Sequence, residues 1–241
     1  MAVNYNTAIV TNGLVLALDA ANTKSYPGSG TTWTDLSANG NNGTLVNTPS
    51  YSPNNQGYFT FNGTNQAVSS FASTTGFGVT GATPVATMSM WVNFTRRSGQ
   101  YQQTGFRNDT NTDFYFLLLD NGGATSVPVE ARVRTASNAY TITSNTSMDF
   151  YQYFQKWMHI VFVVNSTASY LYYNGNLVGS YIGITGNWGA TTAFNIAKNY
   201  PSSSTTYYMS GSMGSFHFYK TALTADQVAQ NFNAHRGRYG V

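Results

Sequence analysis

Few side chains in this 241-residue sequence can do acid–base or nucleophilic chemistry, and their spacing narrows what that chemistry is. Glu130 is the one glutamate. Glycoside hydrolysis takes two carboxyl groups across the scissile bond, ~5 Å apart for retention and ~6.5–9.5 Å apart for inversion. No acidic residue stands two or five positions after Glu130, so no strand-borne pair forms around it. Glu130 is expected to pair with a neighbouring arginine, and no catalytic residue is assigned. His159 and His217 fall within apolar runs, where a half-buried, hydrogen-bonded imidazole is expected. His235 lies near the end of a predicted helix, where positive charge suits the dipole. There is no nucleophile-elbow serine pattern and no His-x-x-x-His zinc pattern. The cysteine count of 0 removes thiolate nucleophiles, thiolate metal sites and disulfides.

Two clusters suit binding rather than turnover. Asp109, Asn111 and Asp113 alternate along the chain, and Ca²⁺ takes 6–8 such oxygens. The same residues make Asx-turns in an ordinary loop, and that reading is the one adopted. No cofactor is therefore expected, with Ca²⁺ as the open alternative. Asn187 and Trp188 lie between two glycines, with Tyr200, Tyr207 and Tyr208 further on. An aromatic face with a polar handle beside amide side chains suits a sugar ring or a protein partner.

Short β-type runs separated by Gly, Asn, Ser and Pro clusters must position these residues. The runs are Leu14–Leu18, Trp33–Leu36, Thr44–Val46, Tyr58–Phe61, Gln66–Ser70, Thr87–Phe94, Phe114–Leu119, Val129–Arg134, Trp157–Val164, Ser169–Tyr173, Asn176–Tyr181 and Ser212–Tyr219. Many short strands with turn signals between them predict a sandwich or barrel. Thr87–Phe94 alternates, placing Met88, Met90, Val92 and Phe94 on one face and Trp91 on the other. Trp157–Val164 is apolar on both faces, as a central strand is. Asn174-Gly175 predicts a type I′ hairpin turn, and residues 120–123 predict a turn between Phe114–Leu119 and Val129–Arg134. Thr224 with Gln227 predicts a capping box, Leu223 and Val228 a hydrophobic staple, and Gly237 the helix end. Residues 1–241 read as a single domain.

Charged residues make up 8% of the chain, against ~25% in an average soluble protein. With 15% aromatics the balance is the reverse of a disordered chain. The +3 net charge is scattered, so the basic stripe of a nucleic-acid binder is missing. No apolar run approaches the ~20 residues of a membrane span. The N-terminus shows no secretion signal, and the Asn-x-Ser/Thr triplets reflect composition.

The order of these pieces resembles the laminin-G-like/pentraxin branch of the concanavalin A-like lectin/glucanase superfamily. The segments that carry the resemblance are 13–20, 33–37, 41–44, 61–65, Met90-Trp91-Val92, 157–162, 171–175 and 211–216. It implies an all-β, antiparallel two-sheet jelly-roll sandwich with one short C-terminal helix. Glycosidases of this superfamily carry a Glu-x-Asp-x-x-Glu strand, and the segment around Glu130 departs from it. Laminin-G and pentraxin relatives often hold Ca²⁺ at the sandwich rim, which is what draws attention to Asp109, Asn111 and Asp113. The opening through Thr44 and the ending 231–240 are similar to stand-alone proteins of tailed bacteriophages, especially those infecting cyanobacteria. That likeness implies a non-catalytic component of a virion, made in the host cytoplasm: a capsid decoration, fibre or tail protein. Its partners would be other virion proteins and further copies of itself. The alternative is a lectin-like module for host surface glycans, with Asn187, Trp188 and Tyr200 as its candidate site.

Overall fold

The computed structural model describes residues 8–54, 57–69, 77, 85–95, 101–107, 113–119, 129–134, 139–143, 154–186, 194–198 and 207–241. The strands within 101–107, 113–119 and 139–143 enter through backbone pairing alone. In chain order the strands begin with β1 (Leu14–Asp19), β2 (Thr32–Trp33), β3 (Gly43–Val46), β4 (Ser50–Ser52), β5 (Tyr58–Asn62) and β6 (Ala67–Ser69). There follow β7 (Ala86–Phe94), β8 (Tyr101–Arg107), β9 (Asp113–Leu119), β10 (Val129–Arg134) and β11 (Ala139–Thr143). The last are β12 (Met158–Val164), β13 (Ala168–Tyr173), β14 (Asn176–Ile182), β15 (Phe194–Asn195) and β16 (Ser210–Tyr219), before helix α1 (Ala225–Tyr239).

Among the described residues, an 8-stranded antiparallel sheet runs β14-β13-β12-β7-β16-β5-β4. β1 is its eighth strand: β16 is long enough to pair β5 through Ser210–Met213 and β1 through Ser215–Tyr219 on the same side. The opposing layer has a 5-stranded part, β11-β10-β9-β8-β15, and a 3-stranded part, β2-β3-β6. Val68 and Ile196 join the two parts by exchanging both backbone bonds at 2.9 Å. The all-β sandwich with one C-terminal helix is thus as the sequence implies.

Side-chain period decides where the core lies. Met88, Met90, Val92 and Phe94 face inward and meet Met158, Ile160, Phe162 and Val164 of the neighbouring strand. The alternate residues of β12, Val161 and Val163, face out and join Tyr172, Tyr219, Leu223 and Val228 under the helix. β12 is buried along its whole length because both of its faces are covered. That is why it reads as apolar throughout.

Two connections follow from local chemistry. Asn174 and Gly175 have φ of 47° and 80°, the pair of positive values a type I′ turn demands. The Asn174 side chain then accepts from the His159 amide at 2.9 Å. Trp33–Leu36 is a strand only at Trp33. Asp35 instead anchors a loop, with its carboxylate accepting from the amides of Ala17, Ser37 and Asn41 and from the Ser37 hydroxyl. Four such bonds hold the loop more firmly than a ladder would. β9 and β10 pair as an antiparallel hairpin, while residues 120–128 between them lie outside the described residues.

α1 begins as its sequence predicts. The Thr224 hydroxyl accepts from the Gln227 amide at 3.3 Å, and the Gln227 side chain accepts from the Thr224 amide at 2.9 Å. Leu223 and Val228 are both buried. Thr224→Ala is expected to cost ~1 kcal/mol, read as an unchanged denaturant slope with a lower midpoint. The end differs from expectation. Gly237 lies inside the helix, which stops at Gly240 (φ 69°), whose amide bonds Arg236 O. Arg238 and Tyr239 dock on the sheet, and those contacts repay the helix propensity lost at Gly237.

Candidate functional site

Most of the binding residues predicted from sequence lie outside the described residues: Asp109, Asn111, Asn187, Trp188 and Tyr200. Asp113 is placed through its backbone, opposite Arg107 at the mouth of the β8–β9 hairpin. β15 is entered at the same end, since Phe194 pairs with Phe106. Glu130 sits in β10 between Leu117 and Thr143. Tyr207 and Tyr208 are half-buried where the chain re-enters the sheet, with Tyr208 bridged to Lys198.

The structure gathers the three histidines under α1 instead. His159 on β12 and His217 on β16 are buried outright, not half-buried. His235 reaches its ring to within 5.9 Å of the His217 ring centroid. The helix seals this face, so burial exceeds what an exposed sheet face allows. Burial, then the other two histidines, lowers His159 to about 3. His217 is lowered to about 3 by burial first, then by His235 and Arg238, against the opposing pull of Asp19. Burial also lowers His235. His159 Nε2 bonds Ser89 Oγ at 2.9 Å, a pair of the kind that activates nucleophiles. Both residues are about 1% exposed, and an imidazole lowered so far is a poor base at neutral pH. The arrangement is a neutral structural contact.

Aromatic stacking extends this interface toward the helix C-terminus. Trp91 stacks on Tyr239 (4.3 Å, 17°), on His159 (5.1 Å) and on Phe232 (5.8 Å). Tyr239 in turn meets Trp157 at 4.6 Å, and Trp157 meets Tyr58 edge-on at 5.5 Å. Arg238 donates to Asp19 Oδ1 at 2.6 Å and to Gly57 O at 2.8 Å, fixing the helix end against β1.

Beyond Tyr239, described residues on the sheet's outer face are half-buried or exposed. In β5, Phe59 and Phe61 point into the core, and Tyr58, Thr60 and Asn62 are the outward alternates. The pairing Asn93↔Ser212, Ser212↔Thr60 and Thr60↔Ser50 lines four uncharged groups across four strands. Trp157 lies one residue before Met158, and Asn93 one residue after its partner Val92, so Trp157 heads the row. All five residues are half-buried or exposed. Thr60 Oγ1 and Ser212 Oγ are 3.0 Å apart. Sequence reading missed this site because its members are ordinary hydroxyl and amide residues on separate strands. The edges of Trp157 and Tyr58, and their position at the helix end, appear only after folding.

A laminin-G family model described as the concanavalin A-like lectin/glucanases superfamily matches residues 78–229, more than half the chain. The chain belongs to this superfamily. No curated protein sequence matches it. Among solved structures, the binding domain of Paraclostridial Mosquitocidal Protein 1 is similar at TM-score 0.70 and 16% identity, covering 93% of this chain and 53% of that one. Domain 4 of AbnA, a GH43 extracellular arabinanase from Geobacillus stearothermophilus in complex with arabinotriose, is similar at TM-score 0.65 and 17% identity. There the coverage is 90% of this chain and 97% of that one. The binding domain of Botulinum Neurotoxin DC in complex with SialylT is similar at TM-score 0.67 and 12% identity, covering 93% and 52%. The chain spans about half the length of the two toxin domains. At such identities these likenesses establish a shared fold and nothing more.

Proposed function

We propose that this chain is a non-catalytic, lectin-like binding module. One observation carries the reading: the outer sheet face left open by α1 offers Trp157 and Tyr58 beside a row of hydroxyls and an amide, none of them charged. Sugar hydroxyls both donate and accept, and Ser, Thr and Asn side chains match them in both roles. Two structures that share the fold carry a saccharide by name, the arabinanase domain with arabinotriose and the neurotoxin domain with SialylT. Catalysis is not part of the proposal, because Glu130 lacks a second carboxylate at the spacing a glycosidase strand supplies. A glycan array probed with the whole chain is expected to return binders that remain uncut on prolonged incubation. A blank array, or cleavage lost in Glu130→Gln, overturns the reading.

The setting proposed for the module is a tailed-phage particle, where several copies act together. Support comes from the resemblance of the opening through Thr44 and of the ending 231–240 to phage proteins, and from the low charge of 8%. A weakly charged Asn/Thr/Tyr surface desolvates at low cost against a partner. Mass spectrometry of purified particles is the test. Recovery in the host soluble fraction alone overturns the virion setting while leaving the binding reading in place.

A further inference from the structure

We infer that the edge strand β14 docks a second copy of this chain, antiparallel and about a two-fold axis, joining the 8-stranded sheets of the two copies into one. This surface is separate from the face proposed for binding, and neither depends on the other. An exposed sheet edge is a row of backbone donors and acceptors open to any extended chain. Folded proteins blunt such edges with short strands, prolines, charges or a covering loop. The edges of this sheet differ in that respect. β4 ends one side with three residues, Ser50–Ser52, set between Pro49 and Pro53. β1, the other strand on that side, is covered by the Asp35 loop. The Ala17 amide donates to Asp35 Oδ1, the Leu36 amide donates to Ala17 O at 2.8 Å, and the Asn41 side chain donates to Val15 O at 2.7 Å. β14 ends the opposite side with seven residues, Asn176–Ile182, and has neither proline nor charge. Among the described residues its one sheet partner is β13. From Trp157 to Ala197 the sequence has no Asp, Glu, Lys or Arg.

Exposed apolar side chains lie along this edge. Leu177 is 55% exposed and Ile182 77%. Cross-strand partners share a face. Leu177 stands opposite Tyr172, which faces outward among the residues under α1. Ile182 stands opposite Ala168, two positions along β13 from the outward Tyr170, so it takes the same outer face. A register shift interrupts the pairing near Val178, but Gly179–Ile182 runs in regular register with Ala168–Leu171 and can continue the ladder. Charge and symmetry select a second copy as the occupant. Two identical uncharged edges meet without repulsion, and a two-fold contact satisfies the same groups on both sides and closes at two. Leu177 and Ile182 of both copies then line one seam. β11, the end strand of the opposing layer, lies close to β14, so both layers finish on this side. Seven residues at ~3.4 Å each and two layers ~10 Å apart give a contact on the order of 1,000 Å² in total. That is the lower end for a specific interface, so the dimer is expected to dissociate on dilution. Antiparallel pairing sets the two-fold axis perpendicular to the joined sheet. Both α1 helices and both outer faces therefore point the same way, an arrangement in which two weak contacts act as one.

The test is analytical ultracentrifugation of the whole chain from low micromolar to hundreds of micromolar. The mass is expected to rise from one chain to two and stop there. Ser180→Lys and Ile182→Lys, both at exposed positions, set like charges against each other across the two-fold. Each is expected to weaken the dimer at least tenfold while leaving the melting temperature of the dilute chain unchanged. Ser50→Lys, on the exposed β4 edge, is the control and should dimerise as the wild type does. Hydrogen exchange adds a readout that needs no variant: amides within 176–182 should exchange more slowly as concentration rises. A chain that stays monomeric throughout overturns the inference. So does a dimer that both lysine variants leave intact, one that Ser50→Lys disrupts, growth beyond two chains, or exchange within 176–182 that ignores concentration. Each of these results leaves the lectin-like reading standing, since a single copy carries the whole outer face.

Discussion

Gly214→Ala is expected to destabilise the protein by about 3 kcal/mol, at the upper end of ordinary overpacking. The position lies in β16 at a register break between Met213 and Ser215 against β7. The bulge aims the Gly214 carbonyl at Ala20, whose amide it accepts at 2.9 Å, and brings the Gly214 backbone against the ring of Tyr239. An added Cβ overlaps the Tyr239 hydroxyl and lies 2.8–2.9 Å from two ring carbons. Tyr239 has little room to retreat, because Trp91 stacks behind it and Arg238 and Asp19 fix the helix end. The expected result is a lower denaturation midpoint together with partial release of the last turn of α1. Tyr239→Phe in the same chain removes the closest atom and should restore part of the loss, whereas Tyr239→Leu should restore more. If Gly214→Ala unfolds at the wild-type midpoint, Tyr239 is not packed on β16 as described.

Acid is the second large lever. His159 and His217 are buried neutral with values near 3, against ~6.5 for a free histidine. A folded-state value below the unfolded one means the unfolded chain binds protons first. The stability tied to each neutral ring is therefore complete above about pH 6.5 and declines as pH falls toward 3. Two such groups lose about 3 kcal/mol per pH unit between them, and His235, lowered in the same direction, adds to the slope. Denaturation curves at about pH 7.5, 6 and 5 should show a steep fall in midpoint, at pH values where exposed carboxylates remain ionised. His217→Leu should flatten that fall, since one titrating ring is gone and its repulsion with His235 goes with it. A midpoint at pH 5 equal to that at pH 7.5 contradicts the burial of these rings. Because Arg238 and Asp19 adjoin His217 and His235, the first consequence of protonation is expected at the C-terminal half of α1. That half supports Trp157 through Tyr239, so the binding proposed for this face should weaken on the acid side before the sheet melts.

Much of this was legible in the residues taken in order. Period-2 alternation in Thr87–Phe94 put Trp91 on the face opposite Met88, Met90 and Val92, and the structure has it there. The Asn174-Gly175 turn and the Thr224–Gln227 capping box were readable because their chemistry is confined to a few neighbouring residues. Each is a local bargain between a side chain and the backbone beside it. Signals of that kind survive without knowledge of the fold.

What spans the chain was not legible. Strands Ser50–Ser52, Tyr101–Arg107, Ala139–Thr143 and Phe194–Asn195 had no distinguishing pattern, since short edge or polar strands are made by their partners' hydrogen bonds. The helix ran past Gly237 because Tyr239 and Arg238 found Trp91 and Asp19, residues more than 140 positions away. The histidines looked half-buried because sequence shows a strand face but not the helix that covers it. The row from Trp157 to Ser50 is the extreme case. Composition and local pattern determined a β-rich, weakly charged sandwich with one capped helix and no paired catalytic carboxylates around Glu130. Only the register of β4, β5, β16 and β7 decided that one tryptophan, one amide and three hydroxyls lie side by side, because cross-strand neighbours are set by long-range pairing rather than by adjacency in the chain.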